Sequence, residues 1–297
     1  MARAPVNVSH LQFVKLIPNQ NFSRNRTESP YVSGLCALPD NVLLLACRKA
    51  GLRAFSLNKS KLIAQEIIRE HVVQVAFDEL TGTLLLLVTN ATMDMWQLVS
   101  LRRNSSEWLE VTRLTTALSA NNSLYVPVIA VCKSHVLVLR HREDDRMFVY
   151  NVSAEHSVNS AGNVSLGQQN WLWLACTRIR EDSYIAISHQ DPSFVALNRL
   201  VWTSGTPILV PIASYTLNNP GWLLFHKDLL LVSKWNTTTN SDAIVSLRAS
   251  RVALSEKREL LAAANESGID VRAWTFAGDR LVLWDKTSSD LRIYAFA

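Results

Sequence analysis

Apolar runs recur in pairs along this chain, and the pairs form six similar repeats. Each pair is an apolar run, a turn of three to seven residues, and a second apolar run that is usually rich in leucine. The pairs occupy residues 34–45, 73–87, 128–139, 172–187, 221–232 and 272–283. Their second runs begin 42, 52, 48, 45 and 52 residues apart. Apolar runs this short between turn signals are too short for helices, so the pattern predicts a repeated unit of β-strands.

A third predicted strand follows each pair, and a fourth follows five of the six. The third strands lie at 53–57, 97–101, 147–152, 194–200, 243–247 and 291–296. The fourth strands lie at 61–67, 107–114, 157–166, 207–217 and 255–261. Residues 255–264 are rich in helix formers, which favours a short helix there, whereas the repeat predicts an outer strand. We predict the strand.

The two ends of the chain complement each other. The sixth repeat stops at Ala297, directly after its third strand, and residues 10–17 form a strand-like segment with no repeat of its own. Units of 40–50 residues with four strands are typical of propeller blades. We therefore predict an all-β, six-bladed β-propeller in which the N-terminal strand closes the last blade and pairs both terminal edges. The predicted single domain, 1–297, has blades at 31–67, 71–114, 125–166, 169–217, 219–265 and 270–297 plus 10–17.

The repeat resembles the β-propeller class, with a divergent, WD-repeat-like architecture. Trp284-Asp285 is the only Trp-Asp pair, and it follows a second strand, whereas WD repeats carry this pair at the end of the third strand. The nine glycines are few for that class, and neither the kelch double glycine nor the sialidase Asp-box is present. The resemblance therefore implies a fold and no particular function.

Composition and charge narrow the classes of partner. The 297 residues are 48% hydrophobic and 19% charged, which is a globular profile. The net charge of +5 comes from interspersed residues rather than a basic run, so we expect no nucleic-acid partner. We see no apolar stretch of membrane-spanning length and no signal peptide, and we expect a monomer.

The four cysteines show no zinc-type spacing, and we expect small buried side chains without a disulfide framework.

The residues that follow each second strand form the candidate binding site. If the repeat is a propeller, six equivalent pairs lie on one rim: Cys47-Arg48, Thr89-Asn90, His141-Arg142, His189-Gln190, Lys234-Trp235 and Asp285-Lys286. Basic groups beside a tryptophan suit a carboxylate, a phosphate or an acidic peptide. We therefore predict a binding rim made of Arg48, His141, Arg142, His189, Lys234, Trp235 and Lys286, with Asp285 as its only acid. The alternative interpretation is a set of polar loops that are basic by chance.

No catalytic constellation is visible in the sequence. There is no Gly-x-Ser-x-Gly elbow, and neighbouring carboxylates such as Asp144 and Asp145 imply no geometry. The loops between predicted blades offer oxygen and nitrogen ligands of the kind that lactonase-type propellers use for a metal. These are Glu70, His71, Asn170, Asn219 and Asp270. Their spacing is not specific, so we predict no catalytic residue, no metal and no cofactor.

Sequons for N-glycosylation give the only hint of a compartment. The chain has eleven of them, where composition alone gives about three, and many fall in predicted turns. If the protein is secreted, the candidate glycan sites are Asn58, Asn90, Asn104, Asn121, Asn236 and Asn265. The absence of a visible signal peptide and of a disulfide framework favours an intracellular, cytoplasmic location instead.

Three functions are compatible with the sequence. The first is a non-enzymatic interaction scaffold that binds another protein or an acidic peptide. The second is the ligand-binding head of a secreted or surface glycoprotein, which the sequons favour. The third is a metal-dependent, lactonase-like hydrolase, which the loop residues between blades favour weakly.

Overall fold

The computed structural model describes residues 10–18, 31–48, 50–89, 95–105, 107–119, 127–132, 134–139, 145–167, 170–261 and 269–297. These residues form 24 strands in six separate four-stranded sheets, and each sheet is antiparallel throughout. The first strands of successive sheets contact one another in a closed ring around a central channel. The predicted fold is confirmed: the chain is an all-β, six-bladed propeller.

Consecutive segments of the chain form the first three blades. Strand β1 (Leu11–Ile17) precedes them and belongs to the last blade. Blade 1 contains β2 (Gly34–Ala37), β3 (Val42–Ala46), β4 (Leu52–Ser56) and β5 (Lys61–Ile68). Blade 2 contains β6 (His71–Asp78), β7 (Thr83–Thr89), β8 (Met95–Asn104) and β9 (Glu107–Ser119). Blade 3 contains β10 (Val128–Cys132), β11 (His135–Leu139), β12 (Arg146–Val152) and β13 (Val158–Ser165).

The remaining blades repeat the order and close the ring. Blade 4 contains β14 (Trp171–Ile179), β15 (Asp182–Gln190), β16 (Ser193–Thr203) and β17 (Thr206–Thr216). Blade 5 contains β18 (Pro220–His226), β19 (Leu229–Asn236), β20 (Ser241–Ala249) and β21 (Leu254–Leu261). Blade 6 contains β22 (Val271–Ala277), β23 (Arg280–Asp285) and β24 (Asp290–Phe296), and its outer strand is β1. The register runs from Leu11 opposite Phe296 to Ile17 opposite Leu291, so the predicted closure is confirmed.

The core consists of apolar layers between blades rather than one central cluster. All seven residues of β7 are buried, because successive side chains of a strand point to opposite faces of the sheet. Leu84 and Leu86 pack in the layer shared with blade 1, whereas Leu85 and Leu87 pack in the layer shared with blade 3. Sheets covered on both faces need apolar residues at every position, which explains the uninterrupted leucine runs.

The expectation for the cysteines was wrong for two of the four. Cys132 and Cys176 form a disulfide that joins β10 of blade 3 to β14 of blade 4, with Cα atoms 5.6 Å apart. Sequence spacing cannot reveal this pair, because 44 residues separate the two cysteines and the ring brings them together. Cys36 and Cys47 are buried free thiols. Burial raises the pKa of each to about 12, so both stay protonated at neutral pH.

Candidate functional site

The propeller has two faces, and the predicted binding rim belongs to one of them. We call the upper face the side on which second strands end and first strands begin. It carries the loops after second strands and the loops that join successive blades. The lower face carries the opposite loops. Propeller strands alternate in direction, so the described residues that follow second strands lie toward the upper face.

Arg48 lies on the upper face, directly after β3. A tight turn holds it: the Gly51 N–H donates to Arg48 O at 2.9 Å. Gly51 has φ of 73°, and a Cβ there would approach Ile68 O to 1.9 Å, so the turn requires glycine. The Val72 N–H of blade 2 donates to the same carbonyl at 3.2 Å. The backbone of Arg48 is therefore fixed between two blades, and its half-buried side chain is presented from a rigid position.

Lys234 and Trp235 reach the same face from the end of β19. Lys234 lies opposite Pro220 and Trp235 lies opposite Asp242 in the blade 5 sheet. Both side chains are partly buried. In the part of the chain that the structure describes, Lys234 forms no ion pair with a carboxylate.

His189 is at the predicted position in sequence but not on the surface. Its side chain is only 1% exposed. The ring Nδ1 lies 2.8 Å from Pro192 O, and the ring stacks on Phe194 and meets Trp171 edge-on. His189 therefore packs inside blade 4 near its upper end, and its side chain is not accessible to a partner at the rim.

Blade 6 contributes less positive charge than its sequence suggests. Lys286 is exposed, and its Nζ pairs with the Asp270 carboxylate at 3.2 Å. Asp285 is fully buried and accepts hydrogen bonds from the N–H groups of Asp270 and Thr287. The Ser288 hydroxyl and the Arg292 guanidinium donate to it as well, at 3.0 and 2.7 Å. Asp285 therefore organises the turn after β23 and is not a rim acid. His141 and Arg142 lie outside the described residues.

Two residues that the sequence did not single out join Arg48 on the upper face. The guanidinium carbon of Arg48 lies 4.2 Å from the centroid of the Tyr31 ring. The guanidinium carbon of Arg272 lies 4.8 Å from the same centroid. Tyr31 precedes the first strand of blade 1, and Arg272 is the second residue of β22 in blade 6. We call these three residues the arginine–tyrosine cluster.

A β-bulge positions Arg272. The pairing of β22 with β23 is irregular between Val271 and Ala273, which leaves Arg272 without a directly opposed residue. Bulges of this kind re-aim a side chain. The sequence signal that could have found Arg272 is its charge at the start of an otherwise apolar first strand. No comparable sequence feature marks Tyr31 as a site residue, because its contact with Arg272 forms only when blade 6 meets blade 1.

The electrostatic state of both arginines differs from that of a solvated cation. Burial lowers the pKa of Arg48 and of Arg272, because each guanidinium has lost part of its hydration. The Nε of Arg48 is buried, and no described residue forms a hydrogen bond with it. Cation–π contact with Tyr31 offsets part of the lost hydration. Neither arginine pairs with a carboxylate among the described residues.

The central channel lies beside this cluster. It encloses a cavity of about 280 Å³, lined by the first strands of all six blades. Gly34 and Ala273, which line the cavity, follow closely on Tyr31 and Arg272 in sequence. Small-molecule sites usually occupy about 300–1,000 Å³ and contain several converging polar groups. This lining is mainly apolar, with Gln74, Glu79 and Thr275 as its polar members.

The residues considered for a metal do not converge. Glu70 is held by two hydrogen bonds from Arg113, at 2.7 and 2.6 Å. Asp270 is paired with Lys286, and the Asn219 amide donates to Trp235 O at 3.5 Å. His71 and Asn170 begin different blades. Within the described ranges, no three His, Cys, Asp or Glu side chains lie close enough together to hold a metal ion.

The candidate glycan sites that the structure describes are on turns and strand ends. Asn58 and Asn104 are exposed on the lower face. Asn236, at the end of β19, is partly buried, and its Oδ1 accepts from the Thr238 N–H at 2.9 Å. Asn90, Asn121 and Asn265 lie outside the described residues. The described residues contain no helix of the length and hydropathy needed to span a membrane.

Comparison with known proteins supports the fold alone. No family model matches the sequence, and no curated protein matches it significantly. A candidate oxidoreductase (glucose dehydrogenase) from Thermus thermophilus superposes with a TM-score of 0.62 at 14% identity, over 96% of this chain and 99% of its own. The WD40 repeats of RRP9 give a TM-score of 0.55 at 11% identity, over 99% and 100% of the two chains.

A third solved structure gives the same result. The β-propeller domain of Cps50 (Swd1) from Myceliophthora thermophila superposes with a TM-score of 0.54 at 12% identity, over 90% of this chain and 84% of its own. The chain therefore shares its β-propeller fold with WD40-repeat structures. Identities this low carry no statement about activity, and the same fold serves both scaffolds and enzymes.

Proposed function

We propose that this chain is a non-enzymatic binding module that captures another protein at its upper face. One observation carries the proposal: Arg48, Arg272 and Lys234 lie on that face without carboxylate partners among the described residues, and both arginines contact the ring of Tyr31. Arginine, tyrosine and tryptophan dominate the energetics of protein interfaces. Several cations of the lower face are neutralised instead, such as Arg103 by Asp40 and Lys227 by Asp279.

Partner capture with a matched pair of variants tests this proposal. The purified full chain is immobilised and exposed to extract from its native source, and bound proteins are quantified by mass spectrometry. Replacing Arg48 and Lys234 by Glu reverses two charges on the upper face, and we expect specific capture to fall at least about tenfold. The control replaces Lys59 and Arg280, both on the lower face, by Glu. Equal capture by both variants, with unchanged melting temperatures, would contradict the proposal.

We further propose that the module works in an oxidising compartment, as a glycoprotein. This differs from the location that the sequence alone favours, and the Cys132–Cys176 disulfide is the reason for the change. Disulfides persist in secreted and luminal proteins and are rare in the cytosol. The exposed sequon residues Asn58 and Asn104 add support, because a glycan can be accommodated at an exposed turn.

Intact mass of the native protein tests the compartment. We expect a mass above 33.3 kDa that falls after glycosidase treatment. We also expect alkylation without reductant to spare Cys132 and Cys176. A mass equal to that of the bare chain, together with alkylation of both cysteines, would instead place the protein in a reducing compartment.

A further inference from the structure

We propose that the arginine–tyrosine cluster, Arg48, Tyr31 and Arg272, is a recognition site for the carboxylate of an acidic protein segment, with an adjacent apolar side chain entering the channel. The site deepens the proposed function and rests on it. The proposed site specifies which chemical group of a partner binds at the upper face, and which residues bind that group.

The geometry brings two cations to one aromatic ring. The guanidinium carbons of Arg48 and Arg272 lie 4.2 and 4.8 Å from the centroid of Tyr31. Arg48 comes from the loop after β3, and Arg272 from the bulge at the start of β22. Both backbones are fixed, by the turn at Gly51 and by pairing within blade 6. The cluster is therefore pre-organised, so a ligand that binds there loses little free energy to ordering it.

The charges of the cluster are not balanced within the described part of the protein. Two acids near the upper end of blade 6 are engaged elsewhere: Asp270 pairs with Lys286, and Asp285 with Arg292. Buried or half-buried cations are normally paired, because the lost hydration must be replaced. The buried Nε of Arg48 has no acceptor among the described residues, and Tyr31 itself is 41% exposed. An anion supplied from outside would therefore meet two partly dehydrated guanidinium groups.

The surroundings favour a peptide carboxylate over a free inorganic anion. Tyr31 is exposed beside the charges, and the cavity lining that begins at Gly34 and Ala273 is mostly apolar. A partner segment with an acidic residue next to an apolar residue matches both features at once. A phosphate or sulfate ion uses only the charges.

Peptide selection tests the inference. Random twelve-residue peptides displayed on phage are selected on the immobilised full chain, and the best sequence is synthesised with a fluorescent label for anisotropy titration. We expect selected sequences to be enriched, at least about threefold over the library, in Asp or Glu next to a large apolar residue. We expect Arg48→Ala with Arg272→Ala to weaken binding at least about tenfold. Replacing the acids of the peptide by their amides should weaken binding equally.

Control variants separate recognition from folding. Arg48→Lys with Arg272→Lys keeps both charges but removes the planar, stacking guanidinium groups, and we expect an intermediate loss of affinity. Lys59→Ala with Arg280→Ala, on the lower face, should leave affinity unchanged. Thermal unfolding of every variant is compared with that of the unmodified chain, so a loss that follows unfolding is recognised as such.

Several outcomes would overturn the inference. They are a selection without acidic enrichment, an affinity that survives loss of both arginines, and displacement of the peptide by millimolar inorganic phosphate. If partner capture still depends on Arg48 and Lys234 while no acidic peptide is selected, the inference fails and the proposed function stands. If capture is independent of the upper face, both fail.

Discussion

At the residue scale, the buried carboxylate of Asp242 makes the stability of one boundary between blades depend on pH. Its carboxylate is 6% exposed at the boundary of blades 5 and 6, and it accepts a hydrogen bond from the Val271 N–H at 2.8 Å. Burial raises its pKa to about 7, and repulsion from Asp270 and Asp285 acts in the same direction. The Val271 and Ser233 donors oppose this shift only in part. Asp242 thus links two blades at the cost of a pH-dependent stability.

The raised pKa of Asp242 predicts that the protein loses stability as pH rises. Its folded pKa exceeds the ordinary aspartate value of 3.8, so its stabilising contribution is complete below about pH 4 and declines up to about pH 7. The slope is at most about 1.4 kcal/mol per pH unit. We expect Asp242→Asn to flatten this decline, because an amide oxygen can still accept from Val271. Urea unfolding at pH 5 and pH 8 measures it.

The control for this prediction is Asp40→Asn, which changes a half-exposed carboxylate on the lower face. That variant should follow the same pH dependence as the unmodified chain. If Asp242→Asn also keeps the full decline between pH 5 and pH 8, then other groups are responsible and Asp242 titrates normally.

At the scale of the strand, local propensity and tertiary pairing give different answers, and pairing prevails. Residues 255–264 contain strong helix formers, yet Leu254–Leu261 is the outer strand β21, as the repeat predicted. It pairs with β20, with Ser255 opposite Arg248 and Glu259 opposite Val245. Leu260 and Leu261 are buried there. An intrinsic preference of a few tenths of a kcal/mol per residue is outweighed by burial of two leucines and a ladder of hydrogen bonds.

The strands were predictable from sequence because their apolar runs carry the repeat, whereas the site depends on contacts between distant repeats. Lys234 and Trp235 reach the predicted face, since a position after a second strand fixes the end of the sheet. His189 has the same position in its repeat but is enclosed by Trp171 and Phe194, which sequence alignment of the blades cannot show. Arg272 acquires its role through a bulge and through its contact with a tyrosine from the other end of the chain.

The N-terminal strand allows a test of ring closure with neighbouring residues. Ile17 is 1% exposed and packs in the layer between blades 6 and 1, while Leu16 is 43% exposed on the same strand. We expect Ile17→Ala to lower the free energy of unfolding by about 2–5 kcal/mol, through lost burial and the cavity it leaves. Leu16→Ala should cost about 0.5 kcal/mol or less. Urea denaturation of both variants checks the difference, and equal losses would mean that β1 does not close the last blade.

At the scale of the whole molecule, two links of different kinds hold the ring together. Strand β1 joins the two chain ends through hydrogen bonds to β24, with Leu11 packed toward blade 5 and Ile17 toward blade 1. The Cys132–Cys176 disulfide joins blades 3 and 4, well away from that closure. The covalent link stabilises the ring mainly because it lowers the conformational entropy of the unfolded chain. The pairing of β1 with β24 and the disulfide both make the ring that carries the upper face rigid.

Removing the disulfide should therefore weaken the fold without altering the upper face. The link closes a loop between residues 44 apart in sequence, and the chain-entropy model assigns such a loop about 4 kcal/mol, although measured values are often lower. We expect Cys132→Ser with Cys176→Ser to lower the free energy of unfolding by about 2–4 kcal/mol. Reducing agent should lower the stability of the unmodified chain to a similar extent and leave the double variant unchanged. The contribution of the peptide's acidic residue, measured as the affinity ratio between the acidic peptide and its amide variant, should stay within about twofold, because the three residues of the arginine–tyrosine cluster come from other parts of the ring. If reduction leaves the unmodified chain equally stable, Cys132 and Cys176 are not bonded in solution, and the argument for an oxidising compartment falls with them.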